Sequence, residues 1–116
     1  MSERDDSVYL HDMLDSIAAI KGFIAGLDYP AFLEDRKTYS ATVRELEVIG
    51  EASGKISETV KAQHPEIDWR TVKDFRNVLA HEYFNINSEI LWDIAQNKLE
   101  PLKQNILVFF KPGSPA

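Results

Sequence analysis

The chain has 116 residues, with 13 basic and 19 acidic side chains, a formal net charge of −6 and no cysteine. A chain of this length can bury a hydrophobic core as one domain without disulfides or metal ions. The absence of cysteine excludes a disulfide framework, a thiol nucleophile and a thiolate metal site. The acidic balance argues against non-specific nucleic-acid binding through phosphate neutralisation, although it leaves room for a local basic cleft.

The ends of the chain predict where the protein resides and how far its domain extends. Residues 1–6 are mostly charged, and no apolar stretch like that of a signal peptide comes after them. Apolar runs such as residues 17–20 are far too short to span a membrane. We therefore expect a cytoplasmic protein with one domain over residues 1–111 and a disordered tail over residues 112–116.

Helical spacing predicts a first helix from about Ser7 to about Leu27, ended by Gly26, Asp28 and the Tyr29-Pro30 pair. Apolar and small residues recur along this segment at intervals of three and four. The face expected to pack inward comprises Val8, His11, Leu14, Ile17, Ala18, Lys21, Ile24 and Ala25.

A second helix is predicted from near Ala31 or Asp35 to about Lys61, with a possible break at residues 35–37. It carries two neighbouring seams, and its middle contains small residues that would let another backbone approach closely. Two seams are typical of a central bundle helix or of a dimer interface. The first seam is Tyr39, Val43, Leu46, Gly50 and Ser53, and the second is Thr42, Ile49, Ala52 and Ile56.

The remaining segments complete an all-helical pattern. Residues 62–67 are expected to form a loop, and Asp68 to cap a helix that places Trp69, Val72, Phe75 and Leu79 at helical spacing. Asn87 or Ser88 can cap a last helix, in which Pro101 predicts a kink or break near residues 99–100. No segment shows convincing strand alternation. We predict an all-α fold, an antiparallel bundle of four or five helices.

The end of the Asp68 helix carries a group of polar side chains: Arg76, Asn77, His81 and Tyr83. Arg76 and Tyr83 are seven residues apart and fall almost in line, while Asn77 and His81 form an i,i+4 pair beside them. We therefore expect all four on one side of a helix or of its frayed last turn. A cation, a group that titrates near neutrality, an amide and a phenol could together act on a phosphodiester.

Each of these residues also has an ordinary structural interpretation. His81 could be a general acid and base, or a histidine bonded to the last carbonyls of a helix. Arg76 could clamp a phosphate, or form a salt bridge to an acidic residue of the second helix. Asn77 could orient His81 or satisfy backbone groups, and Tyr83 could bond a phosphate or pack in the core. The combination favours function more than any one residue does.

The run from Arg76 to Tyr83 resembles the R-x4-H-x-Y motif of the HEPN superfamily, in its HepT-like branch. Residues 44–52 are similar to the second-helix signature of that branch, and residues 65–69 to the segment that leads into its motif helix. Residues 83–84 and 90–92 resemble the segments that come after the motif in that branch. The resemblance covers about residues 8–110, and the motif with its flanking segments is highly specific.

This resemblance implies a HEPN-like homodimer in which two motifs face one cleft. It implies the toxin of a two-gene toxin–antitoxin module, a metal-independent ribonuclease that needs no cofactor of its own. Arg76 and His81 would carry cleavage, Asn77 would support them, and Tyr83 would accept AMP groups. The implied partner is an MntA-like nucleotidyltransferase antitoxin, which uses ATP to modify that tyrosine.

A second hypothesis is a non-catalytic helical partner that docks a nucleotidyltransferase or binds nucleotide. In that case the motif would serve as a modification or nucleotide-binding surface. Cleavage of RNA by the purified protein in EDTA, and its dependence on His81, distinguish the two hypotheses.

Overall fold

The computed structural model describes the backbone of residues 5–81 and 88–110, and the side chains of residues 5–75 and 88–110. All regular structure in this part of the chain is helical, which confirms the predicted all-α class. The helices are α1 (Asp6–Ile24), α2 (Tyr29–Glu34), α3 (Arg36–Gly54), α4 (Glu58–Gln63), α5 (Trp69–His81), α6 (Ser88–Asp93) and α7 (Leu99–Phe109). A π-helical turn, Ile94–Lys98, joins α6 to α7.

The long helices pack side by side, with α3 between α1 and α5, and with α7 against α1. The start of α1 meets the segment after α3, because the Asp6 carboxylate accepts hydrogen bonds from the Ser57 N–H and hydroxyl at 2.9 and 2.8 Å. The end of α1 meets the start of α7 through an ion pair between Lys21 and Glu100. Helix α1 therefore runs antiparallel to both neighbours, as predicted for an antiparallel bundle.

The inward face of α1 differs from the predicted one. Its buried stripe contains Leu10, Met13, Ile17, Ile20 and Ile24, of which the first four are fully buried. Four residues of the predicted face are instead exposed: His11, Ala18, Lys21 and Ala25. The true stripe is rotated by about 100°, one residue around the helix. The reason is the apolar surface area that each stripe buries. The observed stripe removes large apolar side chains from water, whereas the predicted one included two alanines and a lysine.

Helix α3 is the central helix of the bundle, and both of its predicted seams face inward. Leu46 and Ile49 are fully buried, while Tyr39 and Val43 are half-buried against the core. The small residues Gly50, Ala52 and Ser53 are also buried, within this one subunit. Their thinness is therefore explained by packing inside the chain, and it gives no separate support to a dimer interface.

The predicted second helix is divided at two points. The break near residues 35–37 is present: Asp35 ends α2, and its carboxylate then caps α3 by accepting the Thr38 N–H at 3.1 Å. The predicted end at about Lys61 is wrong, since α3 ends at Gly54. There the Lys55 N–H bonds the Ala52 and Ser53 carbonyls, and the Ser57 side chain caps a new helix, α4, through the Val60 N–H.

Helix α4 extends to Gln63, so the predicted loop begins two residues later than expected. His64 comes next as a buried residue, 2% exposed, with its Nδ1 3.1 Å from a Glu66 carboxylate oxygen. Its carbonyl accepts a hydrogen bond from the Trp69 indole N–H at 3.2 Å. The segment between α4 and α5 is thus held by side chains on both sides of Pro65.

The irregularity predicted near residues 99–100 lies immediately before them, in the π-helical turn that ends at Lys98. Pro101 has no N–H to donate, and its ring would collide with the carbonyl of Asn97 in a regular α-helix. A wider turn relieves that collision. None of the helices in the described ranges combines the length and apolarity that a bilayer span requires. The tail predicted over residues 112–116 lies outside the described residues.

Candidate active site

The helix that carries the motif, α5, begins at a side-chain cap. The Asp68 carboxylate accepts the Thr71 N–H at 3.0 Å and the Thr71 hydroxyl at 2.6 Å. The hydroxyl first, and then the N–H, hold the pKa of Asp68 below the 3.8 of an unperturbed aspartate. Both bonds favour the charged carboxylate. The predicted N-cap is confirmed, and it places a negative charge at the positive end of the helix dipole.

The first half of α5 is fixed by packing. Val72 and Phe75 are 3% and 4% exposed, and Trp69 is half-buried against the same core. Lys61 lies 5.8 Å from the centre of the Trp69 ring, where a cation–π contact is favourable. Trp69 and Trp92 both pack against the core, as their spacing predicted.

The backbone of α5 continues as a helix through His81. Arg76, Asn77 and His81 therefore lie on one continuous helix rather than on separate segments. Their side chains lie outside the described part of the structure, and so does all of Tyr83. The roles predicted for these four residues stay predictions.

Helical geometry alone relates the motif positions to the described half of α5. Position 76 is seven residues after Trp69, roughly 20° from it around the axis, and so continues the packed arc. Position 77 is seven residues after Arg70 and position 81 is eleven after it, each within about 20° of Arg70. Arg70 is exposed. Positions 76 and 81 are thus about 7.5 Å apart along the axis and roughly 140° apart around it. Because α5 is a continuous helix through His81, it does not place Arg76 and His81 on one side, contrary to the expectation from the sequence.

The described half of α5 also shows two cations that the sequence pattern alone did not single out. Arg70 and Lys73 are exposed, on the arc that continues into positions 77 and 81. The spacing i, i+3, i+7, i+11 from Arg70 was the signal that could have found them. No three His, Asp or Glu side chains in the described part of the chain cluster closely enough to hold a metal ion.

Comparison with known proteins places the chain in a family. The family model described as "Ribonuclease HepT-like" matches residues 13–108. The chain belongs to the HepT-like ribonuclease family. A Thermococcus cleftensis protein named "Probable ribonuclease HepT" is 38% identical over 101 residues, covering 87% of this chain and 92% of that protein. No solved structure matches the chain significantly.

Two proteins of Methanocaldococcus jannaschii, both named as candidate RNases, are similar over comparable lengths. One is 38% identical over 85% of this chain and 82% of its own length, and the other is 33% identical over 91% and 97%. The family match confirms the predicted resemblance and the predicted enzyme class, ribonuclease, with RNA as substrate. The matched residues include both the central helix, α3, and the whole of α5.

The Asp68 cap gives a prediction about the integrity of the motif helix. We expect Asp68→Ala to lower the melting temperature, because the Thr71 N–H loses its acceptor, whereas Asp68→Asn keeps an acceptor and should show a smaller loss. The pKa of Asp68 is lower in the folded protein than in the unfolded chain. The stability that the charged carboxylate contributes is therefore fully present above pH 3.8, and it is lost as the pH falls through the pKa of Asp68 in the folded protein. Asp68→Asn should lack this part of the acid dependence.

Thermal unfolding followed by circular dichroism between about pH 2.5 and 7 measures both effects, since this range extends to both sides of the 3.8 of an unperturbed aspartate. Asp74→Ala is the matched control, because Asp74 is exposed in the middle of the same helix. Equal melting temperatures for Asp68→Ala and Asp74→Ala would show that the cap does not stabilise α5.

Proposed function

We propose that this ribonuclease is the toxin of a HepT/MntA-type toxin–antitoxin module and cleaves RNA internally without a metal ion. The observation that carries the proposal is the continuity of α5 to His81 in a chain of the HepT-like ribonuclease family. A continuous helix, capped at Asp68 and packed at Val72 and Phe75, holds Arg76, Asn77 and His81 at fixed spacing. Fixed spacing is what a catalytic group needs to meet a phosphodiester in one geometry.

In the proposed reaction the ribose 2′-hydroxyl attacks the neighbouring phosphorus in line with the leaving 5′-oxygen. A neutral imidazole of His81 takes the 2′-hydroxyl proton, and an imidazolium returns a proton to the 5′-oxygen. The new 2′-O–P bond and the broken P–O5′ bond leave a 2′,3′-cyclic phosphate and a free 5′-hydroxyl. Arg76 pairs its planar guanidinium with the phosphate oxygens, whose charge grows in the transition state, and Asn77 supports His81.

The chemistry also supports a two-fold dimer. One motif supplies one imidazole, whereas in-line cleavage is helped by a base and an acid at the same time. A two-fold axis would bring two copies of α5 to one cleft. Positions 76 and 81 are roughly 140° apart around α5, so a single helix does not turn both toward the same phosphate. In a cleft formed by two copies, groups from both helices can face that phosphate.

The proposed partner is an MntA-like nucleotidyltransferase, which uses ATP to attach AMP to Tyr83 and thereby neutralises the toxin. Tyr83 follows His81 by two residues, so a group on its oxygen would share the cleft. Each AMP adds a phosphodiester with a negative charge. That charge would pair with Arg76 and repel an incoming RNA phosphate, while the added bulk would block the site.

Loss of either catalytic side chain should abolish cleavage and toxicity in a protein that stays folded. We expect His81→Ala to lower the rate by about 10²–10⁴, the usual contribution of a general acid or base. Arg76→Ala should lower it by about 10²–10³, as for other groups that stabilise transition-state charge. Cleavage of a labelled oligoribonucleotide in EDTA, with detection of the 2′,3′-cyclic phosphate, is the measurement.

Matched controls separate this loss from general effects of the substitutions. His11→Ala removes an exposed imidazole of α1, and Arg44→Ala removes an exposed guanidinium of α3. Both should cleave at the wild-type rate. Full activity in folded His81→Ala and Arg76→Ala would overturn the nuclease assignment and favour a non-catalytic docking role. Wild-type activity that requires an added metal ion would overturn the proposed metal-independent mechanism.

The dimer makes a separate prediction. Light scattering at micromolar concentration should give twice the mass of the 13.2 kDa chain. Cleavage activity per subunit should fall on dilution below the dissociation constant, because a monomer lacks the second imidazole. A fully active monomer would contradict the shared cleft.

Tyr83 should behave as a switch. Treatment with the partner nucleotidyltransferase and ATP should raise the intact mass by whole AMP units and abolish cleavage, while Tyr83→Phe should gain no mass. Tyr29→Phe is a control that removes a different hydroxyl and should still be modified. Inhibition without any mass increase, or AMP transfer to Tyr83→Phe, would show that neutralisation works by docking or through another residue.

A further inference from the structure

The exposed arc of α5 is a polar surface that leads to the motif from the start of the helix. It contains Arg70 and Lys73, and positions 77 and 81 continue it at helical spacing. Arg70 and His81 are eleven residues apart, so the arc is about 16 Å long along the helix axis from position 70 to position 81. The arc is thus long enough to meet more of a bound strand than the scissile phosphate alone.

The two cations of this arc are available to an external anion. Among the described side chains neither has a carboxylate within ion-pair distance. Arg70 does feel the nearby Asp68 charge, which partly offsets its field. Lys73 is one turn closer to the motif and farther from that carboxylate. In a protein of net charge −6, two exposed cations in line with the motif are well placed to attract a phosphate backbone.

We propose that an RNA strand bound at the motif continues along this arc toward the start of α5, with Lys73 and then Arg70 contacting successive backbone phosphates. This inference rests on the proposed function and adds to it the path of the substrate on one side of the scissile bond. Contacts to phosphates position a strand without reading its sequence. Lys73 and Arg70 are therefore positioning residues, and the cleavage chemistry stays with Arg76 and His81.

Asp74 marks one edge of the path. It is exposed, and it follows Arg70 by four residues, about 40° around the helix on the side away from Lys73. Its carboxylate repels phosphates and so keeps the strand on the Lys73 side. Removing this charge and removing a cation should therefore change affinity in opposite directions, which a purely structural role of these exposed residues would not do.

The test is equilibrium binding of a fluorescent 2′-O-methyl oligoribonucleotide of about ten nucleotides, which cannot undergo 2′-hydroxyl attack, measured by anisotropy over a range of salt. Lys73→Gln and Arg70→Gln should each weaken binding several-fold, Lys73→Gln more. Each should also lower the slope of log affinity against log salt by about 0.7, the value for one phosphate contact on a single strand. Asp74→Asn should strengthen binding. Lys55→Gln, which removes an exposed cation after α3, should change neither quantity.

Cleavage kinetics give the second readout: Lys73→Gln and Arg70→Gln should raise KM and leave kcat within about twofold, since neither residue touches the reacting atoms. Wild-type affinity and salt slope in both variants would overturn the path even if His81→Ala confirms the nuclease. Conversely, a normal cleavage rate in His81→Ala would overturn the proposed function. The binding measurements on Lys73→Gln, Arg70→Gln and Asp74→Asn would still test the path of the strand. A shift from dimer to monomer in either variant would show that the arc is a subunit interface and would also overturn the proposal.

Discussion

The packing of α3 between α1 and α5 is the interaction on which the rest of the structure depends. Leu46 and Ile49 of α3 are fully buried in the core, and the small residues Gly50, Ala52 and Ser53 keep the middle of this helix narrow. Burial of large aliphatic side chains is the main source of stability in such a bundle. Because α5 packs against α3 and buries Val72 and Phe75 in the same core, this packing also sets where the motif helix lies.

Side-chain caps divide the chain into helices of the lengths that this packing needs. Aspartates at positions 5, 28, 35 and 68 and the serine at 57 each precede a helix, and each accepts a backbone N–H at or near its first turn. Such a cap satisfies a donor that the helix itself leaves unpaired. The caps at Asp35 and Asp68 could be predicted, because each coincides with a change in the apolar pattern. The cap at Ser57 was missed, because the seams of α3 continue without interruption through Ile56.

The inward face of α1 shows where periodicity fails. Two apolar stripes overlap on this helix, and spacing alone does not say which one meets α3. The neighbours decide it, since the stripe of Leu10, Met13 and Ile20 removes more apolar area from water. The π-helical turn before Leu99 shows a similar limit: Pro101 predicts a disruption, but its position alone does not say that the disruption is a wider turn ending at Lys98.

The place of the motif in the fold could be predicted from the sequence, because the apolar spacing after Asp68 indicates a helix and α5 is a continuous helix from Trp69 to His81. The roles of Arg76, Asn77, His81 and Tyr83 stay predictions. The spacing of Arg70 and Lys73 with positions 77 and 81 could be read from the sequence, but their exposure could not, because a charged side chain on a helix can be exposed or can pair with a carboxylate. The position of these two cations on the motif helix also explains how an acidic protein can act on RNA. At physiological salt, charges farther than about 8 Å are largely screened, so a phosphate at position 81 responds to the nearby groups of α5 more than to the carboxylates elsewhere. The net charge therefore disfavours loose binding over the whole surface, while the local cations favour a strand that follows α5.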